Sequence, residues 1–204
     1  MRYTIFDTPV LSFVLQRFSL LIFRIFGWRV VGELPDIPKF VAITNHTSNW
    51  DLPIAVFYAF TLKAKISTLG KDSLFRWPFA PFFEWLGCIS TDRSKSTNLV
   101  ERMIDAFNES KKLILVVAPE GTRQKVRYWR SGFYYIAAGA RVPIVLGFID
   151  YRRKVAGIGS MITPTGDIDA DMKIIQSFYA NITGRFQDKP GKVEIKRKER
   201  SVGQ

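Results

Sequence analysis

Three short apolar runs, rich in β-branched residues, most strongly constrain how this chain can fold. They lie at 40–44, 113–117 and 141–149, and turn residues bound each of them, as is typical of buried strands. Segments with the helical spacing of apolar residues lie between them. This alternation predicts an α/β fold with a mixed, largely parallel sheet flanked by helices. The other predicted elements are strands within 61–69, 87–93 and 155–162 and helices over 52–60, 95–112, 132–139 and 168–182.

The length of 204 residues suits one domain with flanking segments. We expect a helical segment over residues 1–28, a core domain over 29–185 and a basic carboxy-terminal tail over 186–204. The tail is predicted to be solvated or disordered because the last 20 residues hold seven Lys and Arg against three acidic residues.

The amino-terminal segment is strongly apolar over residues 10–26, but Gln16, Arg17 and Arg24 interrupt it. No charge-free run therefore reaches the roughly 18 residues expected of a membrane span. Arg17 and Arg24 lie seven positions apart, so they share one face of a helix. This pattern is typical of an amphipathic helix that docks on a membrane surface while its arginines reach the lipid head groups. An ordinary helix packed on the domain is the alternative.

The composition points to a partner that is both apolar and anionic. Hydrophobic residues make up 47% of the chain and the net charge is +12, so an anionic membrane surface fits both features. The charge alone would also suit nucleic acid, but no recognisable nucleic-acid-binding motif is present, and no such partner is expected. With one cysteine and one histidine, the chain can form neither an internal disulfide nor a four-ligand Cys/His zinc site, and we expect no metal.

The single histidine, His46, lies in the turn between the predicted strand at 40–44 and the helix that follows. In open α/β sheets, sites form at such carboxyl ends of strands. A histidine can accept and release a proton near neutral pH, and a carboxylate such as Asp51 can orient its ring. The segment also fits a capping box with Ser48 as the N-cap and Asp51 at N3, and both interpretations can hold together.

A second turn with charged residues follows the predicted strand at 113–117 and reads Pro119-Glu120-Gly121-Thr122-Arg123. Taken alone, it is compatible with a surface ion pair between Glu120 and Arg123, which contributes little stability. Taken with Asn45, His46 and Asp51, it resembles the motifs of the glycerolipid (lysophospholipid) acyltransferase family, of the 1-acylglycerol-3-phosphate acyltransferase type.

Two further segments match motifs of this family. One is 87–93, which begins with glycine and ends in Arg93. The other is Val142-Pro143-Ile144-Val145, after which Leu146 replaces the proline of the family pattern. The four motifs follow one another in the family order over residues 45–146, about half of the chain.

The resemblance implies a glycerol-3-phosphate acyltransferase-like fold, with residues 29–185 as the acyltransferase catalytic domain. It implies transfer of a fatty acyl group from acyl-CoA or an acylated acyl carrier protein to the free hydroxyl of a lysophospholipid. The favoured acceptor is 1-acylglycerol-3-phosphate, and no cofactor is needed beyond the thioester co-substrate. The implied location is the cytoplasmic face of the cell membrane, as a peripheral or monotopic protein.

The resemblance also implies roles for individual residues. His46 would remove the proton from the acceptor hydroxyl, and Asp51 would orient His46 and stabilise its charged form. Arg123 would bind the acceptor phosphate, with Arg93 and Lys71 sharing the task. The rest of the second turn completes the substrate-binding set: Glu120 would hold a cation or bond the acceptor's free hydroxyl, Gly121 would permit a tight turn, and Thr122 belongs to the same motif.

Other functions stay open from the sequence. A different lysolipid acceptor would require the same chemistry. A non-enzymatic peripheral membrane protein would use the amino-terminal helix and the basic charge but would have no need for His46 with Asp51. A serine lipase is disfavoured because the chain has no Gly-x-Ser-x-Gly motif.

Overall fold

The fold is taken from a computed structural model that describes residues 3–91, 96–121, 128–186 and 192–195. The helices are α1 (Pro9–Ile25), α2 (Asp51–Thr61), α3 (Ala80–Trp85), α4 (Ser96–Glu109), α5 (Gly132–Ala140) and α6 (Ile168–Tyr179). The strands are β1 (Arg29–Val31), β2 (Lys39–Ile43), β3 (Ile66–Lys71), β4 (Cys88–Thr91), β5 (Leu113–Val117), β6 (Tyr128–Trp129), β7 (Ile144–Asp150), β8 (Val155–Ile162) and β9 (Lys192–Ile195).

Within these ranges the main sheet has seven strands in the order β1-β8-β7-β2-β5-β3-β4. Every neighbouring pair is parallel except β7 and β8, which are antiparallel. The prediction of a mixed, largely parallel sheet flanked by helices is therefore confirmed. Because β7, β2, β5 and β3 are parallel, their carboxyl ends meet at one edge of the sheet.

The central strands are apolar on both faces because helices cover both faces. Alternate residues of β2 point to opposite sides, and Val41 and Ile43 pack into the core beneath α4, α5 and α6. The other face meets α2, where Ala59 packs with Ile66 and with the partly buried Ile114. The helices that the sequence pattern predicts over 52–60, 95–112, 132–139 and 168–182 are thus α2, α4, α5 and α6.

Helix α1 packs on the outer side of α2. Phe18 and Phe23 both make edge-to-face contacts with Phe57, and Phe23 is buried. In the described parts of the chain, no helix combines the length and the hydropathy that crossing a membrane would require. The burial of Phe23 and its contact with Phe57 support the interpretation of α1 as a helix that packs on the domain through one face. Several large apolar side chains elsewhere on α1 remain exposed, among them Val10, Phe13, Val14, Leu21 and Ile25.

The structure adds three short strands that the sequence pattern does not predict. Strands β1 and β6 contain only three and two residues, too few to show any periodicity. Strand β9 lies inside the segment 186–204 that the sequence predicts to be a tail, and it pairs with β6. Val193 and Ile195 of β9 alternate with charged residues and pack against the core, so the high charge of this segment hides a two-residue alternation.

Candidate active site

The edge formed by the carboxyl ends of the parallel strands gathers many of the residues that the sequence singles out. His46 follows β2, Glu120 follows the neighbouring strand β5, and Lys71 is the last residue of β3 on the far side of β5. With strands about 4.8 Å apart, Lys71 lies about 10 Å across the sheet from the line of β2. Arg93, Thr122 and Arg123 lie outside the described residues, so their predicted roles stay predictions.

His46 and Asp51 face each other across the turn between β2 and α2. His46 Nδ1 lies 3.4 Å from Asp51 Oδ2, and the His46 side chain is 24% exposed whereas that of Asp51 is 2% exposed. Asp51 Oδ2 also accepts hydrogen bonds from the backbone N–H groups of Thr47, at 2.5 Å, and Ser48, at 2.6 Å. Asp51 therefore ties down the turn and also faces the imidazole. The predicted capping box with Ser48 as the N-cap and Asp51 at N3 is wrong, because α2 begins at Asp51 with Trp50 as its N-cap and the Ser48 hydroxyl accepts from the Trp50 N–H.

The other oxygen of Asp51 has a partner that the sequence analysis missed. The hydroxyl of Tyr151, the residue directly after β7, donates a hydrogen bond of 2.5 Å to Asp51 Oδ1. Burial and the Asp51 carboxylate both raise the pKa of the Tyr151 phenol well above its usual value, so the phenol is protonated at neutral pH. The signal that the sequence offered for Tyr151 was its position just after the predicted strand at 141–149. In the structure this strand, β7, lies next to β2, so its carboxyl end brings Tyr151 to the same turn.

Glu120 reaches the same turn from the opposite side. Its Oε1 accepts a hydrogen bond of 3.1 Å from the His46 backbone N–H, while Oε2 has no hydrogen-bond partner among the described residues. Burial raises the pKa of the Glu120 carboxyl, and the His46 N–H opposes this rise. The side chain is 3% exposed, so the surface ion-pair alternative is wrong for Glu120.

Gly121 follows with φ of +64°, in the left-handed region that glycine adopts without strain. A Cβ at this position would lie 2.8 Å from Nε of Arg130, whose side chain lies directly against the glycine. Gly121 thus permits both the turn and the approach of Arg130, a cation that the sequence analysis did not single out.

The segment after α6 packs on the turn between β2 and α2 as well. The Arg185 backbone N–H donates a hydrogen bond of 3.0 Å to Thr47 Oγ1, and the Arg185 guanidinium lies 5.9 Å from the centre of the Trp50 ring. A Cβ on Gly184 would collide with Thr47, at 2.5 Å, so a glycine is needed for this approach. Arg185 therefore places a second unpredicted cation beside the turn.

Asn45 connects the turn to β7. Its side chain makes two hydrogen bonds with the backbone of Ile149: Nδ2 donates to the carbonyl and Oδ1 accepts from the N–H, each at 3.0 Å. The buried Asn45 thus ties the end of β2 to the end of β7.

An apolar groove lies between α2 and the sheet. Its walls include Thr44, Ala55, Ile114, Phe148 and Ile158. No described group of three or more His, Cys, Asp or Glu side chains could hold a metal ion. Cys88 is partly buried, and burial raises the pKa of its thiol, which keeps it in the less reactive protonated form.

Comparison with known proteins places this arrangement in context. A family model described as Acyltransferase matches residues 28–146. The crystal structure of the 1-acyl-sn-glycerophosphate (LPA) acyltransferase PlsC from Thermotoga maritima superposes with a TM-score of 0.59 at 16% sequence identity, covering 86% of this chain and 81% of that one. At this identity the match shows a shared fold. No curated protein sequence matches the chain significantly.

Proposed function

Because this chain belongs to the acyltransferase family, we propose that it transfers a fatty acyl group from an acyl thioester to the free hydroxyl of a lysophospholipid, with 1-acylglycerol-3-phosphate as the favoured acceptor. The observation that carries this proposal is the His46–Asp51 pair, partly open to solvent, at the carboxyl end of β2 beside an apolar groove. The name of the Thermotoga maritima protein supports the choice of acceptor.

In the proposed reaction His46 acts as a general base and no acyl-enzyme forms. Because Nδ1 faces Asp51, Nε2 is left to take the proton of the acceptor hydroxyl as its oxygen attacks the thioester carbonyl. The tetrahedral intermediate then expels the thiolate, which takes the proton back from the imidazolium. Asp51 stabilises that imidazolium. Holding donor and acceptor in line would itself contribute roughly 7–11 kcal/mol.

The developing oxyanion needs hydrogen-bond donors. The backbone N–H groups of His46, Thr47 and Ser48 already donate to the carboxylates of Glu120 and Asp51. The N–H of Gly121, in the second turn, likewise donates to the carbonyl of Ala118. We therefore propose that donors other than these four N–H groups stabilise the oxyanion.

The acceptor phosphate would bind at the basic side chains around this edge. Arg123 remains the principal candidate because a guanidinium can bind a phosphate through two hydrogen bonds, with Arg93 and Lys71 in support. Arg130, which lies against Gly121, and Arg185, which lies beside Trp50, add positive charge at the same edge.

The acyl chain of the donor would occupy the apolar groove. The lining includes Thr44, two residues before His46, so the proposed position of the chain would bring its thioester near the base. Acyl-CoA and acylated acyl carrier protein are both candidate donors, and no further cofactor is proposed.

A membrane surface would supply the acceptor, and the cytoplasmic face of the cell membrane is the proposed location. Helix α1 leaves large apolar side chains exposed, and Trp77, at 90% exposure, and Phe79 do the same beyond β3. Arg17 and Arg24 and the net charge of +12 suit anionic lipid.

The decisive experiment measures free-thiol release from a long-chain acyl-CoA, with and without lysophosphatidic acid, for the wild type and His46→Ala in parallel. Acceptor-dependent release that vanishes in the variant supports the proposal. Release without acceptor would indicate a thioesterase instead. If no thiol appears, the assay is repeated with an acylated carrier protein and with other lysophospholipids, and continued inactivity would favour a non-enzymatic lipid-binding protein.

Arg123→Ala tests the phosphate assignment. It should raise the KM for the acceptor more than the KM for the thioester, whereas Arg102→Ala, on the exposed surface of α4, should change neither. An unchanged acceptor KM would move the phosphate site to another basic residue.

Membrane docking is tested by sedimentation with vesicles that contain phosphatidylglycerol. Phe13→Ser and Leu21→Ser, at exposed positions of α1, should each reduce the bound fraction. The control Ile174→Ser, on α6, has a similar exposure and should leave binding unchanged. Equal binding of all three variants would place the docking surface elsewhere.

A further inference from the structure

We infer that Tyr151 is a positioning residue, which holds Asp51 through Oδ1 so that Oδ2 stays directed at His46. The inference rests on the proposed function only in taking His46 and Asp51 as the reacting pair. Tyr151 lies outside the motifs that carry the family resemblance, which end at 146.

The hydrogen bonds of Asp51 divide between its two oxygens in a way that requires this anchor. Both backbone donors, Thr47 N–H and Ser48 N–H, bond to Oδ2, which is also the atom that faces His46. A carboxylate held at one oxygen can still pivot about that oxygen. The bond from Tyr151 to Oδ1 supplies the second fixed point, so the plane of the carboxylate is set.

Tyr151 is itself held in place from several directions. Its backbone N–H donates to the carbonyl of Thr183 at 2.9 Å, and its ring meets the ring of Trp28 edge to face, with centroids 5.2 Å apart. The phenol is therefore already in place beside Asp51 before the substrates bind, so little conformational entropy is lost in ordering it.

Removing the phenol oxygen changes both the orientation and the electrostatics of the pair. Without this donor the Asp51 carboxylate can pivot about Oδ2, so its contact with His46 Nδ1 is no longer held in one geometry. The other groups that act on this network are Glu120 from the turn after β5, Arg185 after α6, and Tyr179 of α6 through Glu120. All three are unchanged in a Tyr151→Phe variant.

The chain offers a matched control for this variant. Tyr134 also donates its phenol to a buried carboxylate, that of Asp171, at 2.8 Å. Burial, together with Asp171, raises the pKa of Tyr134 to about 12. Tyr134 and Asp171 lie on α5 and α6, away from the catalytic turn, so Tyr134→Phe removes the same kind of bond without touching Asp51.

The first measurement needs no enzymatic activity. His46 is the only histidine, so NMR of a sample with labelled histidine and no affinity tag follows its imidazole without ambiguity. Tyr151→Phe should change the chemical shifts of the His46 ring, because Asp51 no longer holds the imidazole in one orientation, while Tyr134→Phe should leave them in place. No movement in Tyr151→Phe, or equal movement in both variants, would overturn the inference.

The second measurement is kinetic. Tyr151→Phe should lower kcat about ten-fold, as expected for one lost hydrogen bond to a charged group, with each KM within about two-fold of the wild type. A rise in the acceptor KM at unchanged kcat would make Tyr151 a substrate contact and refute the positioning role. If the wild type proves inactive with every donor and acceptor but the NMR shift appears, the proposed function fails while the positioning of Asp51 stands.

Tyr151→Phe keeps the ring that packs against Trp28, and circular dichroism of both variants checks that the fold persists.

Discussion

Two buried carboxylates in this protein should respond to neutralisation in opposite ways. Glu120 is 3% exposed, accepts one backbone hydrogen bond through Oε1, and has an Oε2 without a hydrogen-bond partner among the described residues. Asp171 is equally buried, but Tyr134 O–H and Thr165 N–H donate to its Oδ2 and the Thr165 hydroxyl donates to its Oδ1. Glu120→Gln should therefore stabilise the protein, and Asp171→Asn should destabilise it.

The magnitudes follow from these contacts. Glu120→Gln keeps an oxygen that can accept from the His46 N–H, but it removes a buried charge that repels the charge on Asp51. We expect a gain of about 1 kcal/mol, which for a domain of this size is a rise of roughly 2–4 °C in Tm. Asp171→Asn replaces a carboxylate oxygen by an N–H₂ group that faces donors, so a loss of about 1–3 kcal/mol is expected.

The effect of Glu120 should also depend on pH with a definite sign. Burial raises the pKa of Glu120 in the folded state, so the folded protein holds this proton more tightly than the unfolded chain does. The contribution of Glu120 to stability therefore decreases as pH rises above about 4.3, the ordinary glutamate pKa, and levels off above its raised folded pKa. The advantage of Glu120→Gln over the wild type should grow across the same interval.

Urea unfolding of the wild type and both variants at several pH values between 4 and 8 measures these differences. A Gln variant that is less stable than the wild type at pH 8 would refute the assignment of Glu120 as a costly buried charge. A stability difference that does not change with pH would refute the raised pKa. Either result would mean that Oε2 has a partner beyond the described residues.

Three further outcomes are expected from single substitutions. Gly121→Ala should lower stability by about 1 kcal/mol or more in thermal unfolding, because the position has φ of +64° and its Cβ would meet Arg130. Asn45→Ala removes two buried hydrogen bonds to the backbone of Ile149 and should cost about 2–4 kcal/mol by urea unfolding. Cys88→Ala should retain wild-type kcat in the thiol-release assay, since no acyl-enzyme on Cys88 is proposed, and loss of activity would contradict the mechanism.

The sequence predicted the parts of the fold that depend on local pattern. Strands β5 and β8 have the predicted bounds, 113–117 and 155–162, because each is an apolar run ended by turn residues. The turn that holds His46 and Asp51 was predictable for the same reason, since strand, turn and helix are contiguous in the chain. Strand β9 was not, because its charged residues suggested a solvated tail.

The residues that the sequence did not indicate are joined to the turn between β2 and α2 by contacts between distant parts of the chain. Tyr151 is 100 residues from Asp51, and Arg185 is 138 residues from Thr47. No periodicity in the sequence reports such a pairing. The Tyr151–Asp51 contact follows from the strand order, which places β7 beside β2. The Arg185–Thr47 contact follows from the path of the chain after α6, which returns across the same edge of the sheet.

The register between β2 and β7 is what connects the fold to the chemistry of the site. Ile43 pairs with Leu146, and the two hydrogen bonds of Asn45 to Ile149 hold this register at the edge where the site lies. A shift of one residue would turn every side chain of β7 to the opposite face of the sheet and would carry the phenol of Tyr151 away from Asp51. Asn45, next to His46, thus supports the geometry of the His46–Asp51 pair. Asn45→Ala should consequently change the NMR signals of the His46 ring in the same assay as Tyr151→Phe, even at temperatures well below its Tm.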